Sequence, residues 1–325
     1  MNLFRIHIAT VCCVLAFVPS AIAQQPPKQE TVEPLKTRMY DVSVRANLLY
    51  AGVTAGLRIL DLSDVRNPKE VSTVVLPQSA TSVVLNDSVA YVAQGPSGVF
   101  IVDVSDPKRP SVVSAIETPG AAMMIDLSGD VLAVADGSVG VTLFDITNPK
   151  KPWPTGRGQW DGYVRGVRFY LHELYVCAGK TGVVVMEVNE EGHPRLRGSC
   201  ETGGDARDIC FYQKRAFVAD GKHGVTVLDI SNPDQPDVLE HMPVEDLAHG
   251  LAFYEGYLFV ADGLDGVGVY EYNAPARLDT VTRLDTKPGY ANKVLAANER
   301  LFVANDFKGL LVFDIRNPEK PQLLK

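Results

Sequence analysis

Four side chains that can bind an anion recur along this sequence at nearly equal spacing. Arg165 and Arg207 carry guanidinium groups, and His249 carries a titratable imidazole. The amide of Asn292 continues the series, so the successive intervals are 42, 42 and 43 residues. A guanidinium group pairs with a carboxylate or a phosphate through two parallel N–H donors. If the fold brings these positions together, they predict a site for an anionic ligand or for an acidic segment of a protein partner.

Further polar and aromatic residues lie close to this series in the sequence. The additional candidates for ligand binding are Tyr163, Asp208, His223 and Tyr290. At the same spacing before Arg165 the chain carries Thr81 and Met123, so the charge is confined to one part of the series. The first copy is shifted and should place Arg38 or Tyr40 nearby. The alternative interpretation is that these residues belong to ordinary surface loops and to salt-bridged strand ends.

The spacing gives little support to other chemistries. Three of the Asp-Gly pairs, which begin at Asp136, Asp220 and Asp262, repeat by blade, and this indicates turns rather than the dense oxygen spacing of a calcium loop. The five histidines that follow residue 23 show neither His-x-His nor His-x3-His spacing, so a local zinc or haem site is not expected. A serine elbow is also missing. The sequence therefore predicts no catalytic residue, no metal and no cofactor.

The elements that must position these residues follow a second pattern with the same period. Seven times, a glycine precedes four mostly apolar residues and a carboxylate, as in Gly224-VTVL-Asp229. The seven glycines are Gly56, Gly98, Gly140, Gly182, Gly224, Gly266 and Gly309. A period of ~40 residues is typical of one four-stranded propeller blade. Because every copy has them, the glycine and the carboxylate are predicted to build the blade, as a residue with positive φ and as an acceptor for turn amides.

The fifth copy shows how one repeat divides into strands. Strands are predicted over residues 206–212, 215–220, 225–230 and 237–242, separated by turn signals. The third strand is almost continuously apolar, which indicates burial on both faces. The prediction is an all-β fold, a single seven-bladed β-propeller of four-stranded antiparallel blades over residues 38–325. The starts of the innermost strands and the loops between second and third strands should then form the channel mouth.

The third strand also carries a family resemblance. Residues 100–103 (FIVD) and 228–230 (LDI) are similar to the motif that names the LVIVD-repeat proteins, and the resemblance covers residues from about 40 to 325. It implies a secreted or surface-exposed propeller. It implies no particular reaction, because the family as a whole has no settled activity.

The N-terminus predicts export from the cytoplasm. Arg5 precedes an apolar run over residues 8–18, and residues 21–23 (AIA) supply the small side chains of a cleavage site. Residues 1–23 are therefore predicted to be a signal peptide, because the apolar run is too short for a transmembrane segment. Residues 24–37 are predicted to form a linker or an N-terminal arm, with 30–36 as a candidate to complete the last blade. The processed protein is expected in the periplasm or secreted.

Charge and cysteine content narrow the possible partners. The chain has a net charge of −8, and loss of Arg5 with the leader makes it −9. This argues against nucleic acid and against anionic membranes as partners. Three cysteines follow the leader, and the blade register places Cys200 on an outermost strand and Cys210 on an innermost one. Free thiols are therefore expected.

These observations favour a non-catalytic binding scaffold for a protein partner or an anionic ligand at the channel rim, as a monomer or as a subunit of an envelope assembly. A first alternative is a propeller enzyme, similar to a hydrolase or lactonase, that acts on an extracellular sugar or lactone. That enzyme would need groups such as Asp205, Asp208, Asp246 or His249 within hydrogen-bonding reach of one another. A second alternative is an accessory subunit of a cell-envelope complex.

Overall fold

The repeat folds as a ring of seven β-sheets. The computed structural model describes residues 37–160 and 162–325, and the regular elements within these ranges are twenty-eight β-strands. Each sheet has four antiparallel strands that are hydrogen-bonded in chain order, so each sheet is one blade. The all-β, seven-bladed propeller predicted from the sequence is confirmed. None of the described residues forms a helix that is long and apolar enough to cross a membrane.

The strands are numbered along the chain, and each blade begins with its innermost strand. The first two blades contain β1 (Met39–Arg45), β2 (Leu48–Val53), β3 (Gly56–Asp61), β4 (Lys69–Val75), β5 (Ser82–Asn86), β6 (Val89–Ala93), β7 (Val99–Asp103) and β8 (Ser111–Ile116). The third and fourth blades contain β9 (Met124–Ser128), β10 (Val131–Ala135), β11 (Val141–Asp145), β12 (Trp153–Gly158), β13 (Gly166–Tyr170), β14 (Glu173–Cys177), β15 (Val183–Val188) and β16 (Pro194–Cys200). The fifth blade contains β17 (Asp208–Tyr212), β18 (Arg215–Ala219), β19 (Val225–Asp229) and β20 (Asp237–Met242). The last two blades contain β21 (Gly250–Tyr254), β22 (Tyr257–Ala261), β23 (Val267–Asn273), β24 (Arg277–Leu284), β25 (Ala291–Ala297), β26 (Arg300–Asn305), β27 (Gly309–Asp314) and β28 (Gln322–Leu323).

Apolar side chains fill the spaces between neighbouring blades. Between blades four and five, for example, Val185 of β15 packs in one buried cluster with Ile209 of β17 and Val218 of β18. The third strand of blade five, β19, is buried at residues 225–228. A strand that contacts a neighbouring blade on each face loses water from both sides, which explains its continuous apolar run.

The repeated glycine and carboxylate hold strands together within each blade. Gly224 has a φ of +87°, and an added Cβ there would collide with the carbonyl oxygen of Met242 on the adjacent fourth strand. The carboxylate that closes the same strand, Asp229, accepts a hydrogen bond from the Ser231 amide over 2.8 Å. Both residues therefore have structural partners inside the blade, as the sequence predicts.

The ring closes where the last blade meets the first. Phe302 and Val312 of blade seven pack in one buried cluster with Val42 and Leu49 of blade one. The fourth strand of blade seven is short, because β28 has two residues and pairs with the end of β27. The predicted signal peptide and the predicted arm, apart from Thr37, lie outside the described residues.

The three cysteines of the propeller are free, as expected. Cys200 lies on the outermost strand β16 and Cys210 on the innermost strand β17, which is the predicted separation. Burial raises the pKa of the Cys177, Cys200 and Cys210 thiols above the usual value. Because the thiolate is the reactive form, these residues are suited to packing rather than to chemistry.

Candidate functional site

Two kinds of segment meet at one end of the channel. The loop between the second and third strands of one blade forms an isolated bridge with the residue that precedes the innermost strand of the next blade. Gly179 pairs in this way with Ala206, and Gly221 pairs with Ala248. Gly221 has a φ of +65°, a conformation that favours glycine. The bridges place the loops beside the starts of the innermost strands, and Arg207 lies between bridged Ala206 and strand β17.

The channel mouth is a cavity of about 220 Å³ at this end of the ring. Its lining consists of Tyr40, Asp41, Thr81, Met123, Met124, Arg165, Arg207, His249, Asn292 and Lys293. The structure thus brings together the four residues of the 42-residue series, with Thr81 and Met123 beside them. Of the two candidates from the first blade, Tyr40 lines the mouth, whereas the Arg38 guanidinium lies 5.7 Å from the centroid of the Phe307 ring.

One carboxylate joins the two arginines of the mouth. Nε of Arg165 donates a hydrogen bond to Oδ1 of Asp205 over 3.0 Å, and Nη2 of Arg207 donates to Oδ2 over 2.8 Å. The Arg165 guanidinium also lies 5.1 Å from the centroid of the Tyr163 ring, which is a cation–π contact. Both guanidinium groups are therefore held in place. The two Nη groups of Arg165 form no hydrogen bond with any described residue.

His249 and Tyr290 extend the mouth away from the arginines. Nη1 of Arg207 lies 3.3 Å from Nε2 of His249. Burial and the charges of Arg207 and Arg165 lower the pKa of His249 to about 4. The imidazole is therefore neutral at neutral pH, and its Nε2 can accept the Arg207 hydrogen bond. The Tyr290 ring meets the imidazole edge to face with centroids 5.2 Å apart, and burial raises the pKa of Tyr290 to about 12.

Asn292 connects the last blade to the first. Its Nδ2 donates to the Met39 carbonyl oxygen over 2.9 Å and to Oδ1 of Asp306 over 2.7 Å. These two bonds use both donors of the amide. Only the Oδ1 acceptor of Asn292 is left for a ligand in the mouth.

Asp208 is buried in the channel wall and does not line the mouth. Its Oδ2 accepts hydrogen bonds from Nζ of Lys293 over 2.6 Å and from the Leu251 amide over 3.0 Å. Its Oδ1 accepts from Nη2 of Arg168 over 3.3 Å. The carboxylate is fully buried and its contacts are within the protein. The carboxylate therefore braces two cations and a strand edge, and ligand binding by Asp208 stays a prediction.

Sequence reasoning missed the charged layer to which Asp208 belongs. Oδ2 of Asp126 accepts the Phe169 amide over 2.7 Å, and Oδ2 of Asp41 accepts the Val83 amide over 2.9 Å. These amides lie on the inner edges of the innermost strands, where no further strand is available to accept their hydrogen bonds. Burial raises the pKa of both carboxyl groups. The signal in the sequence is that Asp126 and Arg168 stand 42 residues apart with opposite charges.

His223 lies away from the mouth lining. Its ring meets the His241 ring edge to face with centroids 4.6 Å apart. Nδ1 of His241, on the outermost strand β20, lies 3.0 Å from Oγ1 of Thr226. The structure therefore places His223 over the outer part of blade five and does not bring it to Arg207.

The Asp-Gly pairs act as turn residues. Oδ1 of Asp262 accepts the Asp246 and Leu247 amides over 3.1 and 2.9 Å, and its Oδ2 pairs with Nη1 of Arg283 over 2.9 Å. Asp220 accepts hydrogen bonds from two threonine hydroxyl groups instead. Within residues 37–160 and 162–325, no three histidine, cysteine, aspartate or glutamate side chains are arranged to hold a metal ion.

The groups that an enzyme would use at the mouth are paired with other partners. Asp205 binds the two arginines, and Oδ2 of Asp246 accepts the Leu264 amide over 2.9 Å. His249 contacts Arg207, and Asp208 is held in the channel wall. Among the hydrogen bonds of the described residues, none joins two of these four groups. These four side chains are therefore engaged by other partners in this structure.

The chain matches the protein family that is named after the motif of the third strands. A family model described as LVIVD repeat matches residues 38–75, 77–118, 119–157, 203–241 and 288–325, which is more than half of the chain. Blades four and six lie outside these segments, although each has the same four strands. No curated protein sequence matches the chain.

Several solved structures have a similar fold. The designed protein Ika8 gives a TM-score of 0.68 at 11% identity, over 90% of this chain and 88% of that chain. The WD40 propeller domain of Doa1 gives 0.69 at 11% identity, over 88% and 95%. YCF48 bound to the D1 peptide gives 0.65 at 13% identity, over 86% and 93%. At these identities the likeness establishes the fold alone.

Proposed function

The chain belongs to the LVIVD-repeat family, and from this premise we propose that it is a non-catalytic binding scaffold for a protein partner or an anionic ligand. The seven-bladed propeller is a fold typical of binding scaffolds. The site in this proposal is the channel mouth, with Arg165 and Arg207 as the residues that contact the ligand. Tyr163 and His249 hold these two arginines in position.

The observation that carries the proposal is the shared carboxylate of Asp205. It fixes two guanidinium groups at one cavity and leaves both Nη groups of Arg165 without a hydrogen bond to the described residues. Nε of Arg207 is buried and has no hydrogen-bond partner among the described residues. A buried donor without a partner is costly, so this nitrogen is an unexplained feature of the mouth region.

The charge of the mouth supports an anionic ligand. The guanidinium groups of Arg165 and Arg207 share the single carboxylate of Asp205, so these three side chains carry an excess of one positive charge. Lys293 is paired with Asp208, and His249 is neutral at neutral pH. This local excess of one positive charge contrasts with the net charge of the whole chain, which is −8. An anionic group is therefore attracted to the mouth and repelled by much of the remaining surface.

Two further observations support peptide binding by this fold and a location outside the cytoplasm. YCF48, a propeller of similar fold, is bound to the D1 peptide in its solved structure, so this architecture can hold a peptide. The predicted signal peptide at residues 1–23 supports an extracytoplasmic protein, in the periplasm or secreted. We propose that it acts there as a monomer or as a subunit of an envelope assembly.

A capture experiment with matched arginine variants tests the function. Wild-type protein, Arg165→Glu and Arg109→Glu are immobilised and exposed to an envelope extract, and bound proteins are quantified by mass spectrometry. Arg109 is the control, because it also pairs with an aspartate, Asp106 at 2.9 Å, but is 87% exposed outside the mouth. The partner should be retained by Arg109→Glu and reduced roughly tenfold or more by Arg165→Glu, because charge reversal opposes an anionic group.

The melting temperature and the recovery of captured proteins together decide whether the mouth binds a partner. The melting temperature of Arg165→Glu should stay close to that of the wild type, since this ion pair is partly exposed and contributes little to stability. Equal recovery of every captured protein on all three baits would contradict a binding site at the mouth. Recovery of the same protein in a fixed stoichiometry would favour the accessory-subunit form of the proposal.

A further inference from the structure

Two exposed apolar side chains lie on loops beside the channel mouth. Leu264, between β22 and β23, is 58% exposed, and Phe307, between β26 and β27, is 57% exposed. Large apolar side chains gathered at one place on a surface are typical of interaction sites. We call Leu264, Tyr290 and Phe307 the apolar flank, because Tyr290 contacts the residue that precedes each of the other two.

Direct contacts join the apolar flank to the mouth. In blade six, an added Cβ at Gly263 would lie 3.0 Å from the Tyr290 ring. In blade seven, the Asp306 amide donates to the Tyr290 carbonyl oxygen over 3.1 Å. The Tyr290 ring then meets the His249 imidazole, with centroids 5.2 Å apart. Tyr290 therefore lies between the mouth and the two loops that carry Leu264 and Phe307.

The mouth is too small to bury a drug-sized ligand, but it can admit an acidic side chain. Its volume of about 220 Å³ is below the roughly 300–1,000 Å³ of cavities that bury a drug-sized ligand. Its lining combines the guanidinium groups of Arg165 and Arg207 with the apolar side chains of Met123 and Met124. Methionine adapts its shape to an apolar stem, and arginine binds a terminal carboxylate. An aspartate or glutamate side chain matches this lining.

We infer that the partner presents an extended peptide segment with one acidic and one bulky apolar side chain. The acidic side chain enters the mouth and contacts Arg165 and Arg207, and the apolar side chain packs on the apolar flank. This inference rests on the proposed function and specifies the class of partner. A small free anion fills only the mouth, and an anionic membrane surface is disfavoured by the net charge of −8.

The two halves of the site should each contribute measurably to affinity. A few apolar anchors at the centre of an interface carry much of the binding energy, so Leu264→Ser with Phe307→Ser should weaken binding about tenfold. Arg165→Gln should weaken binding about as much, and it should also reduce the dependence of affinity on salt concentration. Only the arginine variant should lose the preference for an acidic residue.

Selection from a phage-displayed library of random peptides tests this inference. The baits are purified wild-type protein, the double variant Leu264→Ser/Phe307→Ser, Arg165→Gln, and the control Leu171→Ser. Leu171 is 74% exposed and follows strand β13, at the end of the strand opposite the mouth. Selected peptides are synthesised, and their affinities are measured by fluorescence anisotropy after the melting temperature of each bait has been checked.

Peptides selected on wild type and on Leu171→Ser should contain an acidic and a bulky apolar residue at a constant separation. The double variant should keep the acidic preference and lose the apolar one. Acidic peptides without an apolar preference would overturn this inference and leave the proposed function intact. Selected peptides that bind wild type and Arg165→Gln equally well would overturn both.

Discussion

Replacement of Asp208 by asparagine should destabilise the propeller without any ligand present. The carboxylate is fully buried and contacts Nζ of Lys293 at 2.6 Å and Nη2 of Arg168 at 3.3 Å. Removal of one partner from a buried ion pair costs about 3–5 kcal/mol. The lower end of this energy range applies to Asp208, because Arg168 is 31% exposed and also faces Asp126 at 3.9 Å. We therefore expect the free energy of unfolding to fall by about 3 kcal/mol.

Scanning calorimetry converts this loss into a melting temperature. At about 2 °C per kcal/mol for a domain of this size, the Asp208→Asn variant should melt about 6 °C below the wild type. The control is Asp106→Asn, whose pair with Arg109 is exposed and should change the melting temperature by less than about 1 °C. If Asp208→Asn melts within about 1 °C of the wild type, the carboxylate does not brace the channel wall.

The pH dependence of stability also tests the role of the Asp208 carboxylate. Burial alone would raise the pKa of Asp208, but Lys293 and Arg168 outweigh it and hold this pKa below the usual value. A carboxyl group with a lowered pKa stabilises the folded state above the pKa of the unfolded chain, about 3.9, and this contribution is lost as pH falls through the folded pKa. The wild type should therefore lose stability in acid more steeply than Asp208→Asn.

Two other predictions concern the repeat and the mouth. Gly224→Ala should destabilise the protein by about 2 kcal/mol more than Gly256→Ala in urea melts. An added Cβ at Gly224 collides with the Met242 carbonyl oxygen, whereas Gly256 has open space at nearly the same φ, +86° against +87°. Equal losses would contradict the assigned role of the repeated glycine. The pKa of His249 by NMR titration should be about 4, and the free energy of unfolding should fall between pH 6.5 and 4, where only the unfolded state binds the proton. An NMR value near 6.5 would place the imidazole in solvent rather than beside Arg207.

The period of the sequence was sufficient to predict the blades and the ring of mouth positions. In the fifth copy, predicted strands over 206–212 and 225–230 correspond to Asp208–Tyr212 and Val225–Asp229. The agreement is close because every blade packs against its neighbours in the same way, so one register fits all seven copies. The same register located Arg165, Arg207 and His249 at one cavity.

Side-chain direction and loop conformation explain the remaining differences. The Asp208 carboxylate is held in the channel wall by Lys293, Arg168 and the Leu251 amide, and spacing along the sequence does not reveal these contacts. The bridging role of Asp205 depends on the path of an irregular connection, which the period does not determine. His223 follows left-handed Gly221 by two residues, and the conformation of this loop directs its ring towards His241. These features depend on local geometry rather than on spacing.

Site-specific photo-cross-linking is the most direct test of binding at the channel mouth. p-Benzoylphenylalanine is introduced in place of Tyr163, whose ring contacts the Arg165 guanidinium of the mouth, and separately in place of Leu171, which follows the other end of strand β13. After irradiation with an envelope extract, adducts are identified by mass spectrometry. We expect a partner adduct from position 163 and none from position 171. An adduct from position 171 alone would contradict binding at the channel mouth.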